Sequence, residues 1–78
     1  MKSSEIRKRQ IRVRKQDSAF VYFILESFEG VTSYSTIQHK EGDPDREIEL
    51  VFTLDFSNEV EEILNDLKEK ISVTESTI

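Results

Sequence analysis

Residues 17–30, DSAFVYFILESFEG, decide how the rest of the chain is read. They hold seven consecutive apolar residues, Ala19 to Leu25, most of them aromatic or β-branched. Those types favour strands. A strand over this stretch would run for about 13 residues, well beyond the usual length. A membrane span needs about 20 apolar residues. On a helical wheel the stretch organises itself: Phe20, Phe23, Ile24, Ser27 and Phe28 share one broad face, with Val21 at its margin. Glu26 and Glu29 fall opposite. Asp17 or Ser18 supplies an N-cap, and Gly30 sits where a left-handed residue ends a helix. The segment reads as a helix whose phenylalanine face meets the core.

Working outward, Gln10–Lys15 alternates, with Ile11 and Val13 on one side and Arg12 and Arg14 on the other, as a half-buried strand does. After Gly30, VTSYSTIQ is rich in β-branched residues and reads as a second strand. HKEGDPD carries turn residues at Gly42, Asp43 and Pro44. REIELVFTLD is a third strand, with Ile48, Leu50, Phe52 and Leu54 facing one way and Glu47, Glu49, Val51 and Thr53 the other. SNEVEEILNDLKEKI places Val60, Ile63, Leu64, Leu67 and Ile71 at helical spacing, with Ser57 as its N-cap. The order is β-α-β-β-α, with residues 72–78 a short fourth strand or a frayed tail. The fold class is α+β: a ferredoxin-like antiparallel sheet with two helices on one face.

The chain of 78 residues holds one domain, over 10–71, behind a basic, partly flexible arm at 1–9. Apolar residues are 36% of the total and charged residues 35%. A small domain of that composition, without Cys, gains most from a partner subunit. No apolar stretch follows the basic N-terminus, so no secretory signal is read there and a soluble, cytoplasmic protein is expected. The net charge of −5 conceals an asymmetry: residues 1–16 sum to +6 and residues 17–78 to −11.

That asymmetry offers one functional surface. Arg7, Lys8, Arg9, Arg12 and Arg14 form a candidate phosphate-binding segment. Strand pairing offers a plainer use. With the first strand beside the third, Arg12 and Arg14 share the open sheet face with Glu47 and Glu49. RNA binders of this fold also stack bases on aromatic side chains of that face, and here only Tyr34 is available to join it. The turn collects His39, Glu41, Asp43 and Asp45, which turn conformation explains as well as a metal does. One His, no Cys and no Gly-rich phosphate loop leave no catalytic constellation, no metal site and no cofactor motif. Tyr22 and Leu25 fall on the wheel beside Glu26, turned away from the sheet, and read as a contact with a second copy.

With these elements placed, the chain resembles an uncharacterised bacterial family of short ACT-like domains. The resemblance is carried by IRVRKQDSA, FVYFILESFEGV, TSYST and EVEEILNDLKEKI, over residues 10–71. It implies a regulatory, small-molecule-binding homodimer rather than an enzyme, with Asp17 and Ser18 lining the ligand pocket. In the wider ACT group a Gly follows the residue matching Asp17. Here Ser18 and Ala19 follow, so the backbone admits a ligand less closely. Nucleic-acid binding through the basic segment is the alternative.

Overall fold

The computed structural model describes residues 5–28, 30–37 and 42–76. Its order is β1 (Ile6–Arg14), α1 (Ser18–Ser27), β2 (Ser33–Ile37), β3 (Asp45–Thr53), α2 (Ser57–Lys70) and β4 (Val73–Ser76). The sheet runs β2-β3-β1-β4 with every neighbouring pair antiparallel. This is the ferredoxin-like arrangement the pattern predicts, and residues 73–76 complete it as a fourth strand.

Alternation explains the two faces. Ile11 and Val13 stand opposite Ile48 and Arg46, and Arg9 opposite Leu50, on the face that the helices cover. Lys8, Gln10, Arg12 and Arg14 stand opposite Val51, Glu49, Glu47 and Asp45 on the open face. The core gathers Ile11, Val13, Ile48, Leu50 and Phe52 from the sheet, Val21 and Leu25 from α1, and Val60, Ile63, Leu64 and Leu67 from α2. In α2 the apolar spacing of i, i+3, i+4 and i+7 is realised as written. Glu59 in its first turn and Lys68 and Lys70 in its last suit the helix dipole.

Several local expectations are corrected. β1 begins at Ile6, so Arg7, Lys8 and Arg9 belong to the sheet rather than to an arm. Both long strands enter their helices through a single 3₁₀ turn, Lys15–Asp17 and Leu54–Phe56. Neither Asp17 nor Ser57 caps with its side chain, because the 3₁₀ turn already directs the chain into the helix and Ser57 is the first helical residue. Leu54, expected to face the core, lies in the second of these turns and is exposed. Gly30 does adopt the left-handed backbone, with φ of +88°, in a turn closed by the Val31 N–H on the Phe28 carbonyl at 3.1 Å.

The largest correction concerns the rotation of α1. Leu25 is 1% exposed and Val21 is fully buried, whereas Phe23 is 66% exposed. The helix is turned by roughly a residue's step, about 100°, from the phenylalanine-centred wheel. The side chains that meet the sheet are the compact pair at i, i+4. Phe20 and Ile24 pack at its margin.

Candidate functional site

The outward surface of α1 differs from that of its neighbour. Of the residues Ser18–Ser27 only Glu26 is charged, and its carboxylate accepts a hydrogen bond from the Tyr34 hydroxyl at 2.7 Å. Ala19, Phe23, Glu26 and Ser27 are what α1 presents to solvent. By contrast, α2 presents Glu59, Glu61, Glu62, Asp66, Lys68, Glu69 and Lys70. Leu25, expected at a subunit contact, is core. Phe23, expected in the core, is the exposed apolar residue of α1. Apolar side chains lie all around this helix, so the wheel alone did not locate its buried centre. The i, i+4 pair Val21–Leu25 was the available signal.

Tyr22, the other expected contact residue, is half-buried against β2. Its ring stacks on that of Tyr34, with centroids 5.3 Å apart and planes 21° apart, and its hydroxyl bonds Thr36. Tyr34 stands opposite Leu50, on the helix side of the sheet. Its bond to Glu26 raises the phenol above its ordinary value. It is therefore absent from the open face, which among the described residues carries no aromatic side chain with which to stack a base.

Three of the basic residues of β1 are engaged. Arg12 donates to Glu47 at 2.7 Å and pairs with Asp45 at 3.7 Å, and the bond to Glu47 raises its guanidinium above the ordinary value. Arg7 pairs with Glu5 at 3.1 Å. Arg9 lies on the other side of the sheet, where it pairs with Glu61 of α2 and Glu75 of β4. Lys68 of α2 adds a 2.6 Å bond to Glu75. The Lys68 bond first, with Arg9 adding, holds the Glu75 carboxyl below its ordinary range against partial burial. Arg9 in turn is raised, chiefly by Glu61. Three elements are tied together by this network. Among the described residues, Lys8, Arg14 and Lys15 carry no ion pair.

Asp17 and Ser18 sit at the far end of β1, where the Ser18 hydroxyl donates to the Lys15 carbonyl at 2.7 Å. A groove of about 270 Å³ lies at the opposite end of the sheet and includes neither residue. His39 and Glu41 of the acidic turn lie outside the described residues. Among the described residues no three His, Asp or Glu side chains are grouped to hold a metal ion. No helix among them is long and apolar enough to cross a membrane.

Residues 11–71, from the middle of β1 to the end of α2, match the family model of a domain of unknown function, DUF4911. The chain belongs to this family. Neither a curated protein nor a solved structure matches it. The DUF4911 span contains both helices, the tyrosine pair and the Arg12–Glu47 contact. The Arg9–Glu75 pair lies outside it. On the DUF4911 scaffold, then, two surfaces carry little charge among the described residues: the outer side of α1, with Glu26 alone, and the groove at the β1 start.

Proposed function

We propose that this DUF4911 chain is a homodimeric binding or regulatory module of ACT-like type, without catalytic chemistry of its own, and that its copies meet through the outer face of α1. One observation carries the reading: a helix face with Phe23 two-thirds exposed and a single charge, Glu26, already bonded to Tyr34, in a chain that is 35% charged. Covering the exposed part of that ring in a dimer removes about 130 Å² from water, worth about 3 kcal/mol per copy before association entropy is charged against it. The occupant is a second copy because charge favours it. Each α1 face brings one acid, Glu26, whose carboxylate is bonded to Tyr34, whereas α2 presents five acids and two lysines and repels its own image more strongly. A domain this small also gains proportionately more from added buried surface.

Light scattering over a wide concentration range, at low and high salt, tests the reading. The expected result is a salt-insensitive dimer that Phe23→Glu makes monomeric while Glu62→Lys, on α2, leaves it intact. A monomer at every concentration, or a dimer indifferent to Phe23→Glu, overturns it. Leu25→Glu is unsuitable as a probe, since it places a charge in the core. The competing nucleic-acid reading has lost Arg9 and Arg12 to intramolecular ion pairs, and it predicts binding that salt abolishes.

A further inference from the structure

The groove arises from a difference in strand length. The last β2–β3 pair is Ser33 opposite Val51, yet β3 continues to Thr53. Its end therefore has no strand on that side, and residues 30–32 cross the gap without filling it. Ile6, Val31, Phe52 and Phe56 wall the opening, and among the described residues none of the nine that line it is charged. The Leu54 N–H bonds the Glu5 carbonyl, and the Thr32 hydroxyl bonds the Val51 carbonyl. Backbone groups alternate in direction along a strand, so those of residues 52 and 54 face β1 and those of 51 and 53 face away from it. Alternation thus aims the Thr53 N–H and C=O into the groove.

A cation stands beside it. Lys8 lies directly opposite Val51 on the open face, exposed, and among the described residues it has no ion pair. Opposed side chains on a sheet begin about 5 Å apart, so a lysine's reach covers the groove mouth. Glu49, diagonal to Lys8, is the acid in the next row. The groove's volume equals about nine waters of liquid, room for an apolar body of about six heavy atoms.

We propose that this groove binds a small carboxylate with an apolar body, its tail among Ile6, Val31, Phe52 and Phe56, and its carboxylate accepting from the Thr53 N–H and the Lys8 ammonium. This names the ligand class for the binding-module reading and rests on that reading for its biological role. The site itself does not depend on dimerisation. Amide NMR spectra of the isotope-labelled chain, titrated with hexanoate, hexanamide and hexylamine, test it. The expected result is saturable shifts at residues 6–8, 31–33 and 51–53, with hexanoate about three-fold tighter than hexanamide and hexylamine weakest. Lys8→Gln should bring hexanoate down to the level of hexanamide while leaving hexanamide unchanged. No saturable shift, equal binding of acid and amide, an unaffected Lys8→Gln, or shifts confined to α1 would each overturn the assignment. A chain that proves monomeric yet shows the groove shifts removes the dimer and keeps the site.

Discussion

The rotation of α1 can be tested by truncating the two residues whose places the sequence and the structure exchange. Leu25 is buried on the sheet-facing side of α1 and belongs to the core cluster built from both layers. Leu25→Ala removes that apolar surface and leaves a cavity which a two-layer domain closes only in part, a cost of about 3 kcal/mol. A domain of 78 residues has roughly 4–12 kcal/mol to lose. The variant should therefore keep its fold but melt about 15 °C lower, given roughly 4–8 °C per kcal/mol at this size. Phe23→Ala truncates a ring already 66% exposed and should cost less than about 0.5 kcal/mol in the monomer.

Urea denaturation followed by far-UV circular dichroism, at a low and a high protein concentration, reads both effects. At low concentration only Leu25→Ala should move the midpoint. At high concentration Phe23→Ala should lose additional stability relative to the parent chain, because it forfeits the mass-action contribution of a dimer. If Phe23→Ala costs as much as Leu25→Ala at low concentration, the phenylalanine face is the buried one. The α1 rotation, and the dimer surface derived from it, would then both be wrong.

Two further outcomes follow from the polar contacts. Glu75 is held below its ordinary value of 4.5 by Lys68 and Arg9, so its contribution to stability is present above that pH and lost as pH falls through the folded-state value. Glu75→Gln should destabilise by about 1 kcal/mol at neutral pH, with the difference from the parent shrinking in urea titrations below pH 4.5; a difference independent of pH would refute the network. Glu26→Gln should return the Tyr34 phenol toward its ordinary value of 10.0 in a near-UV absorbance titration, and an unmoved titration would remove the Glu26–Tyr34 bond.

The order of the first five elements and the two faces of the sheet were legible because period-two alternation assigns every side chain of a strand to a face. Ile48, Leu50 and Phe52 could face only the core, which put Glu47 beside Arg12 on the other side. The rotation of α1 was not legible in the same way. Alternation has two phases, but a helix apolar on nearly all sides has a continuum of orientations, and weighting by ring size favoured the wrong one. The start of β1 was hidden for a related reason: IRKRQ is charged on both phases, so it reads as an arm. Arg7 and Arg9 are nonetheless in phase with Ile11 and Val13, and the acid that Arg9 needs comes from Glu61, outside the apolar stripe of α2. Tertiary partners made this segment a strand. The groove was invisible because it depends on where β2 stops relative to β3, a matter of two residues at an element boundary.

The charge asymmetry shows why a segment's net charge is a poor guide to its partner. Residues 1–16 carry +6, enough to suggest a phosphate-binding strip. Folding puts alternate residues on opposite faces and supplies acids to each: Glu47 and Asp45 to Arg12 on the open side, Glu61 and Glu75 to Arg9 on the helix side. On the open face this leaves Lys8 and Arg14 without ion pairs among the described residues. Six strand residues separate them, about 20 Å, which at physiological salt is more than twice the screening length. Two cations that far apart act singly and do not make a continuous field for a polyanion. Lys8, beside a groove whose described lining residues are uncharged, is the cation to which we assign one anionic group on a molecule that is otherwise apolar. The same positive residue that looks like part of a nucleic-acid surface in sequence becomes, in the assignment we propose, a determinant for a much smaller ligand.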